Sequence, residues 1–130
     1  MNKSLSSIAL AIAALGASTA LAQSSPKLDG IWRTEDQSAT VRVGKCPASA
    51  NWCATVIDER LAQGEPSKLN QTIVRDMRPK GTQGWVGQYV VDGQSMKASA
   101  KLANPTTLAF KVCAFAFLCD TIRLNRVRGE

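Results

Sequence analysis

The 130-residue chain has no histidine at all. Without an imidazole there is no histidine-based catalytic triad and none of the usual histidine-built zinc hydrolase sites, so those chemistries are excluded. Aromatic residues make up 5% and charged residues 20%, with a single tyrosine. A long apolar run is missing as well: beyond residue 22 no segment approaches the roughly 20 continuous apolar residues of a membrane-crossing helix. The 45% of hydrophobic residues still suffices for one core, which argues against a disordered chain.

What is present starts at the N-terminus. Lys3 precedes the apolar stretch Ile8 to Leu15, and Ala20-Leu21-Ala22 carries a small-x-small cleavage pattern. Residues 1–22 are therefore expected to be a secretory signal peptide, with residues 23–130 forming a single domain in the periplasm or outside the cell. The formal net charge is +6, one unit of which leaves with Lys3. A domain of this size buries about two-thirds of its unfolded surface, so covalent restraint would add a useful margin.

The cysteines fit that need. In an oxidising compartment Cys46, Cys53, Cys113 and Cys119 read as a disulfide framework, and of the three connectivities open to four cysteines the spacing favours two local pairs. Each pair flanks a turn between extended runs and would staple a hairpin, contributing about 2–3 kcal/mol by loop entropy. A four-thiolate zinc site is disfavoured because six and five residues separate the paired cysteines, more than tetrahedral knuckles use. No metal or cofactor is expected.

Short β runs fill the rest: Ile31–Thr34, Ala39–Val43, Cys53–Ile57, Trp85–Val91, Ser95–Leu102, Thr107–Val112 and Cys119–Val127. Met96, Ala98, Ala100 and Leu102 alternate with Lys97, Ser99 and Lys101, so the strand has one dry and one wet face. Asp92-Gly93 and Asn104-Pro105 mark tight turns. Residues 59–84 read as a long surface excursion, with room for a short helix around Leu69 to Met77 ended by Arg78-Pro79. The expected fold is all-β, a small antiparallel up-and-down barrel, with a two-sheet sandwich as the alternative. In a closed barrel Gly30 and Trp32 of the first strand adjoin Arg126 of the last, and the guanidinium would stack on the indole as a structural floor.

No catalytic constellation emerges, and the chain reads as a non-enzyme. Glu35-Asp36 and Asp58-Glu59 are sequence neighbours that point to opposite faces of a strand, the wrong geometry for a paired acid and base. Asp120 shares the face of Ile122 and Leu124 and is expected to be partly buried at the rim. Val41, Val43, Val56, Trp85, Tyr89, Met96, Leu108 and Phe110 are the candidate lining of a small apolar cavity, the alternative being a solidly packed interior. Two surface features stand apart from it. Phe115 and Phe117 form an apolar hairpin tip, either exposed as a partner site or folded back over the barrel mouth. Lys68, Arg75, Arg78 and Lys80 are candidates for electrostatic contact with an anionic surface, placed on the long excursion. The basic residues form no stripe that matches a nucleic-acid footprint.

Taken in order, Gly30-x-Trp32-x-Thr34-Glu35-Asp36, Lys45-Cys46 with Cys53, Asn70 through Arg75, Arg78-Pro79, Gly81, Tyr89, Asp92-Gly93, the Leu108 strand, Cys113 with Cys119, and Arg126-Val127 resemble an exported bacterial family, domain-of-unknown-function family 2147. Its barrel is similar to lipocalins and other calycins. The resemblance implies a lipocalin-like barrel and an exported location, and carries over no catalytic residue. Leu124 stands where the family usually has an aromatic, and the tract from Gly81 to Asp92 is abbreviated, which implies a shorter barrel with a smaller cavity. The expected function is an exported, non-catalytic binding protein holding a small hydrophobic ligand. The alternative is an envelope protein-interaction or inhibitor module acting through surface loops and the Cys113 to Cys119 tip.

Overall fold

Eight strands in sequence order make up the described chain: β1 (Gly30–Thr34), β2 (Ala39–Lys45), β3 (Trp52–Glu59), β4 (Thr72–Lys80), β5 (Gly84–Val91), β6 (Gln94–Asn104), β7 (Thr107–Phe115) and β8 (Leu118–Arg126). The computed structural model describes residues 27–115 and 117–127, so the expected signal peptide lies outside the described residues. Each strand pairs antiparallel with the next, and β1 pairs with β8, closing the barrel. The sandwich alternative is thereby excluded. Closure follows from the alternation: Val41, Val43, Ala54, Val56, Ala98, Ala100, Leu102, Leu108, Phe110 and Leu124 fall at every second position and are all buried in one cluster.

The turns carry the residues their backbones require. Asp92 and Gly93 have φ of 52° and 77°, both left-handed, between the paired Val91 and Gln94. That is the two-residue turn whose twist suits a hairpin. At the β1–β2 turn the Asp36 carboxylate accepts from the Thr34 hydroxyl and the Ser38 amide, 2.8 and 2.9 Å, which lets Gln37 hold φ 63°. Both disulfides form as local pairs, Cys46–Cys53 and Cys113–Cys119.

One expectation is corrected. Within residues 59–84, Thr72–Lys80 is strand β4, and no helix forms around Leu69 to Met77. Its alternation is hidden by a bulge: Asp76 has φ 54°, so Val74 and Met77, three apart, both face inward and are buried. Pro79 lies beyond the last β3 partner of β4, Met77, in a stretch with β5 as its neighbour, where a missing ladder donor is tolerated. Gly87 of β5 makes room for the bulge. A Cβ there would stand 2.6 Å from both the Arg75 carbonyl oxygen and the Met77 sulfur.

The β1–β8 seam is short. Its register pairs are Trp32↔Arg126, Arg33↔Asn125 and Thr34↔Leu124, extended by the Glu35 amide donating to the Arg123 carbonyl, 2.9 Å. From Ile122 back to Leu118, among the described residues, β8 pairs with β7 alone. Asp120 and Ile122 occupy inward positions yet are exposed there, which corrects the expected partial burial of Asp120.

Candidate functional site

In an up-and-down barrel successive turns alternate between the two ends. The β2–β3, β4–β5 and β6–β7 turns share one end with residues 27–29 and Val127; the other four connections share the opposite end. At the first end the Arg126 guanidinium lies 4.3 Å from the centre of the Trp32 ring. Its nitrogens donate to the carbonyls of Asp29 and Lys27, each at 2.8 Å, and of Pro105 at 3.2 Å. Trp32 is completely buried, and its indole N–H donates to the Leu28 carbonyl, 2.9 Å. Gly30, at φ 130°, allows the chain to turn beneath Arg126, whose Nη1 would be 2.9 Å from any Cβ at that position. This end is a floor.

Above the floor is a cavity of about 330 Å3, near the lower end of the range for small-molecule pockets. Val41, Val43, Val56, Tyr89, Leu108 and Phe110 line it, as do Trp32, Ala54, Val74, Met77, Ala100 and Leu124. The space exists because Ala54 and Ala100 stand at inward positions where larger side chains would fill the bore. Two candidates fall elsewhere: Trp85 is buried in the core cluster outside the cavity wall, and Met96 sits half-buried near the β5–β6 turn. Sequence reasoning missed Trp52, Ile73, Val74 and Met77 as lining, the last three because β4 was unrecognised. Tyr89 and Phe110 pack edge to face, centroids 6.0 Å apart. Burial, with Asp92 nearby, raises the Tyr89 hydroxyl above its ordinary pKa, so it remains a neutral donor.

The opposite end is open, and its polar groups lie on the rim. Thr34, Ser38, Glu59, Arg60, Leu61, Glu65, Pro66 and Lys68 surround the mouth. Glu59 accepts from the Ser67 hydroxyl and the Lys68 amide, and these hydrogen bonds hold its carboxyl below the ordinary value of 4.5. Arg60 donates to the Asp36 carbonyl, 3.0 Å, tying the β3–β4 connection to the β1–β2 turn. Asp36 is lowered from 3.8 to about 2, chiefly by the hydrogen bonds from Ser38.

The four basic candidates do not share a loop. Lys68 alone lies on the β3–β4 connection, residues 60–71, whereas Arg75, Arg78 and Lys80 are exposed on β4. The correction follows from the hidden strand. The hairpin tip is exposed, Phe115 by 64% and Phe117 by 82%, rather than folded over the mouth. Among the described residues no group of three or more Cys, Asp or Glu is placed to hold a metal ion, and no helix is long and apolar enough to cross a membrane.

Among solved structures the chain is similar to protein HP1028 of Helicobacter pylori, described as belonging to the lipocalin family. The two superimpose with a TM-score of 0.58 over 78% of this chain and 83% of that one, at 15% sequence identity. The barrel is lipocalin-like. At that identity the likeness shows the fold alone. No protein-family model matches the sequence, and a search of curated proteins gives no match. The lipocalin-like barrel thus rests on the closed eight-strand sheet and this neighbour.

Proposed function

We propose that this protein is an exported, non-catalytic carrier that holds a small hydrophobic ligand inside its lipocalin-like barrel, and that it is a relative of family 2147. One observation carries the reading: an apolar cavity of about 330 Å3, sealed at one end and open at the other. Among the described residues its wall holds no charged side chain below the rim, so burial would favour an uncharged, apolar ligand body. Glu59, Arg60 and Lys68 at the mouth suit a ligand with one polar end left near water. Export is supported by the two disulfides and by the signal-peptide pattern of residues 1–22.

Trp32 and Trp52 both line the cavity and make intrinsic fluorescence the direct test. Titration with medium-chain fatty acids and small aromatic compounds is expected to give a saturable shift, which Ala100→Phe or Ala54→Leu abolishes by filling the space. Indifference to every probe in the folded parent protein would overturn the reading in favour of a solid interior. The exposure of Phe115 and Phe117 keeps the protein-interaction alternative in view; a purified partner lost on Phe115→Ser with Phe117→Ser would favour it.

A further inference from the structure

One corner of the barrel combines two features that the cavity does not use. At the β7–β8 turn Phe115 and Phe117 stack with centroids 6.4 Å apart, both exposed, and Leu118 beside them is 53% exposed. The Cys113–Cys119 bridge pins the base of that turn, so contact with a partner orders little that is not already ordered. Charge is the second feature. Lys97 on β6, paired with Cys113, and Lys111 on β7 occupy outward positions towards that turn and are exposed; Lys101 and Arg123, both paired with Ala109, share the face further down the strands. No carboxylate shares that face of the three strands. Asp120, their single acidic residue, belongs to the opposite, inward set.

A partner for this corner must be negatively charged and must offer an apolar phase just beneath the charge. The tip is convex, so a protein partner would need a groove shaped to it, whereas a fluid bilayer adapts. Basic side chains with long apolar stems beside aromatic rings are the side-chain chemistry that settles at an anionic lipid interface.

We propose that this corner docks the protein on an anionic lipid bilayer. Phe115 and Phe117 enter the boundary between headgroups and acyl chains, while Lys97 and Lys111 rest on the headgroups. The same end carries the cavity mouth, and beside it the upper part of β8 lacks a β1 partner; Ile122 there lines the cavity and is 41% exposed. Docking therefore brings the β7–β8 side of the open end to the lipid. It requires nothing of the cavity reading.

The test is co-sedimentation with phosphatidylcholine vesicles made with and without phosphatidylglycerol, at low and high salt, on protein purified from the envelope of an expressing bacterium. Parent and variants share one N-terminus, so any lipid affinity of that segment cancels between them. Binding is expected only with phosphatidylglycerol, weaker at high salt, and reduced about tenfold or more by Phe115→Ser with Phe117→Ser. Lys97→Gln with Lys111→Gln is expected to flatten the salt dependence. All variants should keep the parent's circular dichroism and fluorescence titration, which separates loss of docking from loss of the cavity. Absence of binding to anionic vesicles at low salt, or equal binding by parent and both variants, overturns the proposal. A phenylalanine-dependent dimer in sedimentation velocity without vesicle binding overturns it too, making the occupant a second copy.

Discussion

At the floor, Arg126 covers the Trp32 ring and gives three nitrogens to backbone carbonyls; at the opposite end, Phe115 and Phe117 stack in water. Both ends are built on the same alternating strands and both carry a disulfide at a hairpin base. They differ in where apolar area goes. The floor buries an indole completely and satisfies its neighbours' polar groups, so it contributes stability and presents little to a partner. The open end relies on a covalent staple and on exposed or half-buried hydrogen bonds around Asp36 and Glu59, leaving apolar surface available for contact.

The contrast can be broken by substitution. Trp32→Ala removes a fully buried side chain, the cation–π contact and the bond to Leu28, and is expected to cost about 3–5 kcal/mol; urea unfolding measures it. Replacing Cys113 and Cys119 by Ser should cost about 2–3 kcal/mol, and replacing Cys46 and Cys53 about the same, if both staples act on the unfolded chain. A much smaller loss at the open end would show that its turn is already loose. Gly87→Ala forces the β4 bulge outward and should cost about 1–3 kcal/mol. By contrast Phe115→Ser with Phe117→Ser should change stability by less than about 0.5 kcal/mol, since nothing buried is lost.

The smallest effect is one of pH. Asp36 is lowered in the fold, so its hydrogen bonds contribute fully above the ordinary value of 3.8 and are lost as pH falls through about 2. Glu59, also lowered, loses its hold on the Lys68 amide on acidification below its ordinary 4.5. In an NMR titration the Ser38 and Lys68 amides should move at low pH while the Trp32 indole proton stays still. Movement of the indole in step with them would mean that the two ends melt as one.

The floor was legible because its parts are few and distinctive: a glycine before a tryptophan at the start, an arginine at the end, and alternation that fits closure while leaving the sandwich open. The cavity was half legible. Val41, Val43, Val56, Tyr89, Leu108 and Phe110 follow from period two, whereas Val74 and Met77 were hidden because one left-handed residue, Asp76, shifts the count by one. Pro79 deepened the disguise, since proline argues against a strand unless a neighbour is missing. Rim geometry had no sequence signal: Glu59 meets Ser67 and Lys68 only once the β3–β4 connection folds back.

The brevity of β1 has a dynamic consequence. Five residues hold the cylinder shut along one line, so thermal fluctuation unzips it first where β8 runs on with β7 alone towards its turn, at a free-energy cost well below that of global unfolding. Passage of a guest molecule in and out would then be timed by that local parting, and amide exchange along β8 would quicken stepwise from Asn125 to Leu118.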